Sequence, residues 1–463
     1  MTLKALLLAA AVVAAPATAQ TPDEAAFRAL YKELVETNTT LSSGSCTDAA
    51  AKLAVRMKAA GFKDADITLF STPENPKEGG LVAILKGSDT RAKPILLLGH
   101  LDVVEAKRED WTRDPFTLIE EDGYFYGRGT FDDKAQAAIW TDTLIRYKQS
   151  GKAPKRTLKL ALTCGEETTY AFNGADWLAK NKPDLIAAEF ALNEGGGGRY
   201  DATGKPQGLG VQVGEKTVQN FKLEATNPGG HASVPRPDNA ITDLSRAIVK
   251  VNTYEFPVQF NPTTRTFFTS MAKVTPPAVG AAITALLANP GDAAANAIVS
   301  QDPTFHSTLR TTCVTTQIAA GHANNALAQR AGANVNCRMF PGTDPEKTRA
   351  DLIAAIGDPK VSVSLALPVR PVAVSPPLNE AVLGPMKALA AKHFPGVPFA
   401  TTMSTGATDA IFLAPIGIPT YGAPGTFIDT DGNGIHGLNE RIRVKSLMQG
   451  RDYLDDLVHA LAG

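Results

Sequence analysis

Five short motifs in this 463-residue chain bring acids and histidines to the ends of apolar, strand-like runs, close to glycines. His100-Leu101-Asp102 closes the run from Pro94 to Gly99, and Asp132-Asp133-Lys134 follows Gly127-Arg128-Gly129. Gly165-Glu166-Glu167 follows Leu158 to Cys164, Glu194 follows Ala191-Leu192-Asn193, and His436 lies between Gly434 and Glu440. Imidazole and carboxylate are ligands that zinc accepts, and a pair of divalent ions sharing one carboxylate needs about five of them. The chemistry these residues offer is activation of a water by metal.

Asp102 stands two residues beyond His100, on the same face if the strand continues, and a carboxylate there orients a ligating imidazole by accepting its other N–H. Of the adjacent Glu166 and Glu167, one can reach a metal while the other faces the open coordination position and takes a proton from the attacking water. The segment Asp429-Thr430-Asp431-Gly432-Asn433-Gly434, with Glu440 beyond it, also satisfies the pattern of an EF-hand calcium loop. An EF-hand needs an entering helix. Here Pro419, Gly422, Pro424 and Gly425 make the approach strand and turn, and His436 takes the eighth position. The loop is expected to present His436 instead of holding calcium.

An alternating scaffold has to position these motifs. Phe27, Leu30, Tyr31 and Leu34 have helical spacing within 23–37, and strand-like and helix-like segments then alternate as far as about residue 210. That predicts an open α/β sheet, which binds ligands beyond the carboxyl ends of its strands. His100, Glu166, Glu167 and Glu194 suit such ends. Asp132 and Asp133 instead precede a helix expected over 134–147, where they would cap it and complement its dipole. Gly195 to Gly198 read as a flexible run or a turn.

From Gly210 the character changes. Val211 and Val213 alternate, Phe221, Leu223 and Ala225 follow, and a Pro/Gly-rich turn over 227–237 leads to a helix over 240–251. A smaller α+β layer is expected over 211–367, with an extra helical segment at 261–320. The chain then rejoins the first unit through a helix over 379–393, a strand over 415–421 and a final helix over 444–461. The division expected is 1–19 as a signal peptide, 20–210 and 368–463 as one domain, and 211–367 inserted in it.

Lys4, the apolar run Ala5 to Ala15 and Ala17-Thr18-Ala19 have the pattern of a secretory signal cleaved after Ala19. Export is expected, to the periplasm if the host is Gram-negative, with no membrane association afterwards. A net charge of −1 and 44% apolar residues give no reason to expect nucleic acid as a partner. Four cysteines are too few for a disulfide scaffold. Cys164, in an apolar run, reads as a buried free thiol, and a Cys313–Cys337 bridge stays open.

Gly99 to Val104, Trp111 with Pro115-Phe116, Gly127-Arg128-Gly129 with Asp132-Asp133-Lys134, Gly165-Glu166-Glu167 and His436-Gly437 together resemble the M20 family of metallopeptidases and amidohydrolases. The resemblance implies a mixed-sheet catalytic domain with helices on both faces, of the zinc-exopeptidase kind, and a smaller inserted α+β lid or dimerisation domain. It implies two zinc ions per subunit, with cobalt or manganese as substitutes. Asp132 would bridge them, His100 and Glu194 completing one site and Glu167 and His436 the other. Asp102 would orient His100, and Glu166 would be the catalytic base. His231 matches a histidine that reaches a partner's active site in homodimers, and Asn325 and Arg338 match positions that hold the substrate's carboxylate. Glu105-Ala106 stand where the family often has proline, beside the site.

The expected activity is hydrolysis of a peptide or amide bond next to a free carboxylate, by a carboxypeptidase or dipeptidase. An N-acyl-amino-acid deacylase on the same site, or a peptide- or metal-binding protein without catalysis, are the alternatives.

Overall fold

The computed structural model describes residues 21–168 and 171–463. The signal-peptide expectation for 1–19 lies outside them. Among the described residues, ten strands form one mixed sheet. Its order is Ile67–Thr72, Asn75–Leu85, Leu158–Thr163, Ile95–His100, Phe190–Asn193, Thr420–Gly422, Pro206–Glu215, Gly197–Tyr200 and Phe427–Ile428, and Phe399–Ser404 pairs on Pro206–Glu215. The central strands Leu158–Thr163, Ile95–His100, Phe190–Asn193 and Thr420–Gly422 run parallel, so their carboxyl ends share one edge. Ile95–His100 is buried along its whole length, as a parallel strand covered on both faces must be.

The helices Pro22–Val35, Cys46–Ala59, Lys134–Gln149, Glu380–His393 and Val444–Ala462 supply side chains to the main core on one face. Trp140 anchors this packing. It is fully buried, and its Nε1 donates to the Leu98 carbonyl at 3.1 Å, fixing the helix that follows Asp132 against the strand that ends in His100. On the opposite face, Leu96, Leu98, Ala161 and Ala191 pack against Leu178, Ile186 and Leu413.

A second, four-stranded antiparallel sheet runs Thr312–Ala320, Arg330–Met339, Thr217–Thr226 and Val361–Leu365. One of its faces packs Phe221, Leu223, Val335 and Met339 against Leu244 and Ala247 of helix Ala240–Thr253 and Leu352 of helix Pro345–Ile356. The extra segment is helical over Pro262–Val274, Pro277–Ala288, Ala293–Val299 and Pro303–Thr308, around Phe268, Ile283, Leu286 and Leu309. Thr263 ties it to the large sheet through the Val213 carbonyl at 2.9 Å.

Several local expectations change. Val211 and Val213 lie in the large sheet, because alternation marks a strand's faces without saying which sheet it joins. The helical segment stops before Thr312, where a strand of the smaller sheet begins. The strand expected over 415–421 is confined to Thr420–Gly422, since Pro415 opens a helical turn instead. The run Gly195 to Gly198 is close-packed, with 197 and 198 inside a strand. A Cβ on Gly195 would stand 2.5 Å from Gln212 Oε1, and one on Gly198 2.1 Å from the Phe427 ring. Cys164 is not a free thiol but is joined to Cys46, and Cys313 is joined to Cys337. The Cys46 partner comes from a helix 118 residues away, a pairing with no local signature.

Candidate active site

The carboxyl edge of the parallel strands brings four of the motifs together, and the His436 loop closes over them. His100 is the last residue of its strand and is 2% exposed. Its Nδ1 bonds the Asp102 main-chain carbonyl at 3.0 Å, while the Asp102 carboxylate lies at 3.6 Å. That carboxylate instead accepts the backbone N–H groups of Glu166 and Glu167, at 3.3 and 3.0 Å. Asp102 thus ties the imidazole to the turn carrying both glutamates.

Asp132 stands between the two histidines. Oδ1 lies 3.2 Å from His100 Nε2, and Oδ2 lies 3.2 Å from His436 Nε2. Glu194 Oε1 is 3.8 Å from His100 Nε2, and Glu167 Oε1 is 2.9 Å from His436 Nε2. Two overlapping groups result: His100, Asp132 and Glu194 on one side, and His436, Asp132 and Glu167 on the other. Glu166 sits with His100 and Glu194, close enough for the three to share an ion.

The electrostatics are those of a crowded acidic site. Burial, reinforced by the neighbouring Glu166, pushes Glu194 well above the usual carboxylate range, and burial with the acids around it does the same to Glu166. Burial also opposes ionisation of Asp132, but hydrogen bonds from His100 and His436 outweigh it and hold Asp132 low. Close contact with the Asp132 and Glu167 carboxylates raises His436 to about 10. For His100 burial acts downward, yet Glu194, Asp102 and Asp132 together lift it well above its ordinary value. Glu167 Oε1 is buried, and its one close polar neighbour is His436 Nε2 at 2.9 Å. A divalent cation on each side of Asp132 would relieve the repulsion and occupy that buried oxygen. The donor set of two imidazoles and three carboxylates suits zinc.

The loop that carries Asp132 is held by a residue that sequence reasoning took only as the end of a calcium pattern. Glu440 is fully buried; Oε1 accepts the N–H groups of Phe131 and Asp132 at 2.8 and 3.1 Å, and Oε2 accepts Gly129 N–H and Arg128 Nη1 at 2.9 and 2.8 Å. Asp429 and Asp431 turn instead to Tyr124, Arg443 and Arg441. Glu440 therefore serves the Asp132 loop while Asp429 and Asp431 serve Tyr124 and two arginines, and the three form no calcium cage. Asp133 holds the N-cap position of helix Lys134–Gln149 without a side-chain capping bond, so the expected cap fails. Its buried carboxyl is raised by burial and faces Gly99.

Asp409 is a second group that escaped notice. Its Oδ1 accepts Asn173 Nδ2 at 2.6 Å and its Oδ2 accepts the Thr163 hydroxyl at 3.0 Å. Asn173 also donates to the Gly165 carbonyl at 3.1 Å, so Asp409 braces the Glu166 turn. Gly165 itself has φ +95, and a Cβ there would stand 1.8 Å from the Phe172 carbonyl oxygen, so only glycine fits. Asp409 follows strand Phe399–Ser404 with Gly406 between, the same strand, glycine and acid order that marked Glu166.

The three remaining predicted residues lie in the part built around the smaller sheet. His231 is exposed, bonds Ser233 Oγ at 2.6 Å, and pairs with Ala326 in a short ladder next to Asn325, whose carbonyl accepts Ala232 N–H at 2.9 Å. Arg338 Nε donates to Asn336 Oδ1 at 3.0 Å. Across the ladder from Arg338 stands Thr312, whose hydroxyl lies 3.4 Å from the ammonium of the fully buried Lys216. Burial, then Arg338 and Arg310, lower Lys216 to about 7.

Residues 96–460 match the model of peptidase family M20/M25/M40. The chain belongs to peptidase family M20. It is a peptidase or amidohydrolase of that metal-dependent family. It is 28% identical over 401 residues to human N-fatty-acyl-amino acid synthase/hydrolase PM20D1, covering 84% of this chain and 78% of the relative. It is also 28% identical to probable carboxypeptidase S-like 2 of Dictyostelium discoideum, covering 82% and 73%. The M20 fold is shared with metallo-carboxypeptidase Sso-CP2 of Sulfolobus solfataricus, at TM-score 0.70 and 18% identity over 96% of this chain and all of the other. A dinuclear metal-binding M20 peptidase of Bacillus subtilis matches at TM-score 0.56 and 13% identity, covering 94% and 97%.

Proposed function

We propose that this M20 enzyme hydrolyses a peptide or amide bond next to a free carboxylate, using two divalent cations, zinc by preference. The observation carrying the reading is Asp132, whose two oxygens each lie 3.2 Å from a different histidine, with one further carboxylate on either side. When bound, the ions polarise the scissile carbonyl and acidify the attacking water. His100, Asp132 and Glu194 would hold one ion, and His436, Asp132 and Glu167 the other. Glu166, raised above the usual carboxylate range by burial and the acids around it, takes the water's proton and passes it to the leaving amine. Asp102 and Asp409 keep that carboxylate in place by holding its turn.

The part over 216–367 acts as a lid. Arg338 and Lys216 have no carboxylate partner among the described residues, and the Arg338 guanidinium, with the Lys216 amine beside Thr312, suits the substrate's carboxylate, with Asn325 assisting. His231 is exposed and available to the active site of a second copy, where it would stabilise the oxyanion. Export is part of the reading, from residues 1–19, and two disulfides accord with an oxidising compartment. Among the described residues no helix is long and apolar enough to cross a membrane.

The test is mass-spectrometric detection of amine release from a panel of dipeptides and N-acyl amino acids, with Glu166→Gln as the blank. Release by the unmodified enzyme alone supports the reading. Silence across the panel with two ions bound favours a binding protein.

A further inference from the structure

The Cys46–Cys164 bridge borders a cavity instead of closed packing. Both cysteines line a space of about 200 Å³ whose wall also carries Asp102, Glu78 and Thr39. Glu78 Oε2 is buried without a hydrogen-bond partner, and so is the hydroxyl of Thr39, a residue 1% exposed. Buried polar atoms are normally paired, so two orphaned oxygens around one space point to an occupant. A water would serve the oxygens alone. The sulfurs and Asp102 point to a cation: one Sγ from each cysteine and one Asp102 oxygen lie within 4.8 Å of one another. Among the described residues no other cysteine joins such a group, and Cys313–Cys337 links paired strands of the smaller sheet.

In the disulfide neither sulfur is a thiolate, the form that binds metal. Once separated, both are placed to become one. Cys46 opens helix Cys46–Ala59, whose N-terminal dipole favours a thiolate. The two Cα atoms are 6.0 Å apart, so both sulfurs can reach one ion at about 2.3 Å with the backbone in place. Asp102 and Glu78 bring the donors to four, the number a tetrahedral ion takes.

We propose that Cys46, Cys164, Asp102 and Glu78 form a further metal site for a thiophilic divalent cation such as zinc, closed by the disulfide and opened by a dithiol. The dithiol's thiolate attacks one sulfur, the S–S bond breaks, and a second exchange closes the dithiol's own disulfide. Two electrons and two protons pass to the cysteines, and the entering cation expels those protons. An ion there shares Asp102, which holds the Glu166 and Glu167 N–H groups, so its charge reaches the turn carrying Glu166.

The experiment titrates the mature protein with cobalt(II) before and after reduction by a phosphine, which gives its electrons to the disulfide and takes oxygen from water. Elemental analysis should find one more ion per chain after reduction, with the near-ultraviolet charge-transfer absorption of cobalt bound to thiolate. Cys46→Ala with Cys164→Ala should abolish both signals, and Cys313→Ala with Cys337→Ala should keep them. Glu78→Gln should weaken binding of the added ion about tenfold or more. No added ion once thiol titration shows the bridge open, an absorption that follows Cys313 and Cys337, or full affinity in Glu78→Gln overturns the site. So does a bridge that reductant cannot open in the folded chain, or a reduced chain that loses its circular dichroism and does not regain it with cobalt. Hydrolysis is not the readout, so each of these outcomes leaves the reading of the Asp132 cluster intact.

Discussion

Glu440 Oε1 accepts the backbone N–H of Asp132 at 3.1 Å, so the proposed bridging carboxylate is positioned by a residue more than 300 places later in the chain. The same side chain pairs with Arg128, and both are 2% exposed or less. Removing one partner strands the other charge in the interior, at a cost of about 3–5 kcal/mol. Glu440→Gln should lower stability in urea unfolding by an amount of that order and reduce metal content. Arg128→Met combined with Glu440→Gln should be less damaging to stability than Glu440→Gln alone. Equal losses would remove the ion pair from the account.

Glu166→Gln should keep both ions and lose at least a hundredfold in kcat, the lower range for a general base. Metal analysis beside steady-state kinetics separates the two effects. A variant retaining a tenth of the activity would take Glu166 out of that role.

His436 gives the metal-free protein a pH dependence of definite sign. Its folded pKa of about 10 lies above its ordinary 6.5, so its contribution to stability is whole below pH 6.5 and is lost as pH rises to 10. The thermal midpoint of the chelator-treated protein should therefore fall over that range through this group. The zinc-loaded protein should lack this dependence, and zinc affinity should rise with pH because binding expels the imidazole proton. A His436→Gln protein that keeps the same slope when metal-free would contradict the assignment.

The Cys46–Cys164 bridge closes a loop of 118 residues, for which chain entropy predicts about 4–5 kcal/mol of stabilisation. Cys46→Ala with Cys164→Ala should lower the unfolding free energy accordingly while leaving the proposed metal ligands around Asp132 in place. Intact-mass measurement with and without reductant checks that the bridge forms.

The candidate site residues were legible in the sequence because His100, Glu166 and Glu194 stand at or just beyond the ends of apolar strands, close to glycine, a local pattern that parallel strands impose. The major helices were legible from spacing, such as Phe27 to Leu34. What escaped depends on distant partners. Glu440 bonds four groups of the Gly127 to Asp132 loop, and nothing beside it in sequence announces them. Asp409 acts through Asn173, Cys164 is bridged to a helix 118 residues earlier, and Val211 alternates identically in either sheet. Periodicity reports which side of an element is buried, and tertiary partners decide against what.

The most direct measurement is anomalous scattering from crystals grown with zinc, recorded above and below the zinc edge. Two peaks per chain about 3.5–4 Å apart, one on each side of Asp132, are the predicted result. A single peak, or a pair not shared by Asp132, would contradict the dinuclear centre on which the proposed chemistry depends.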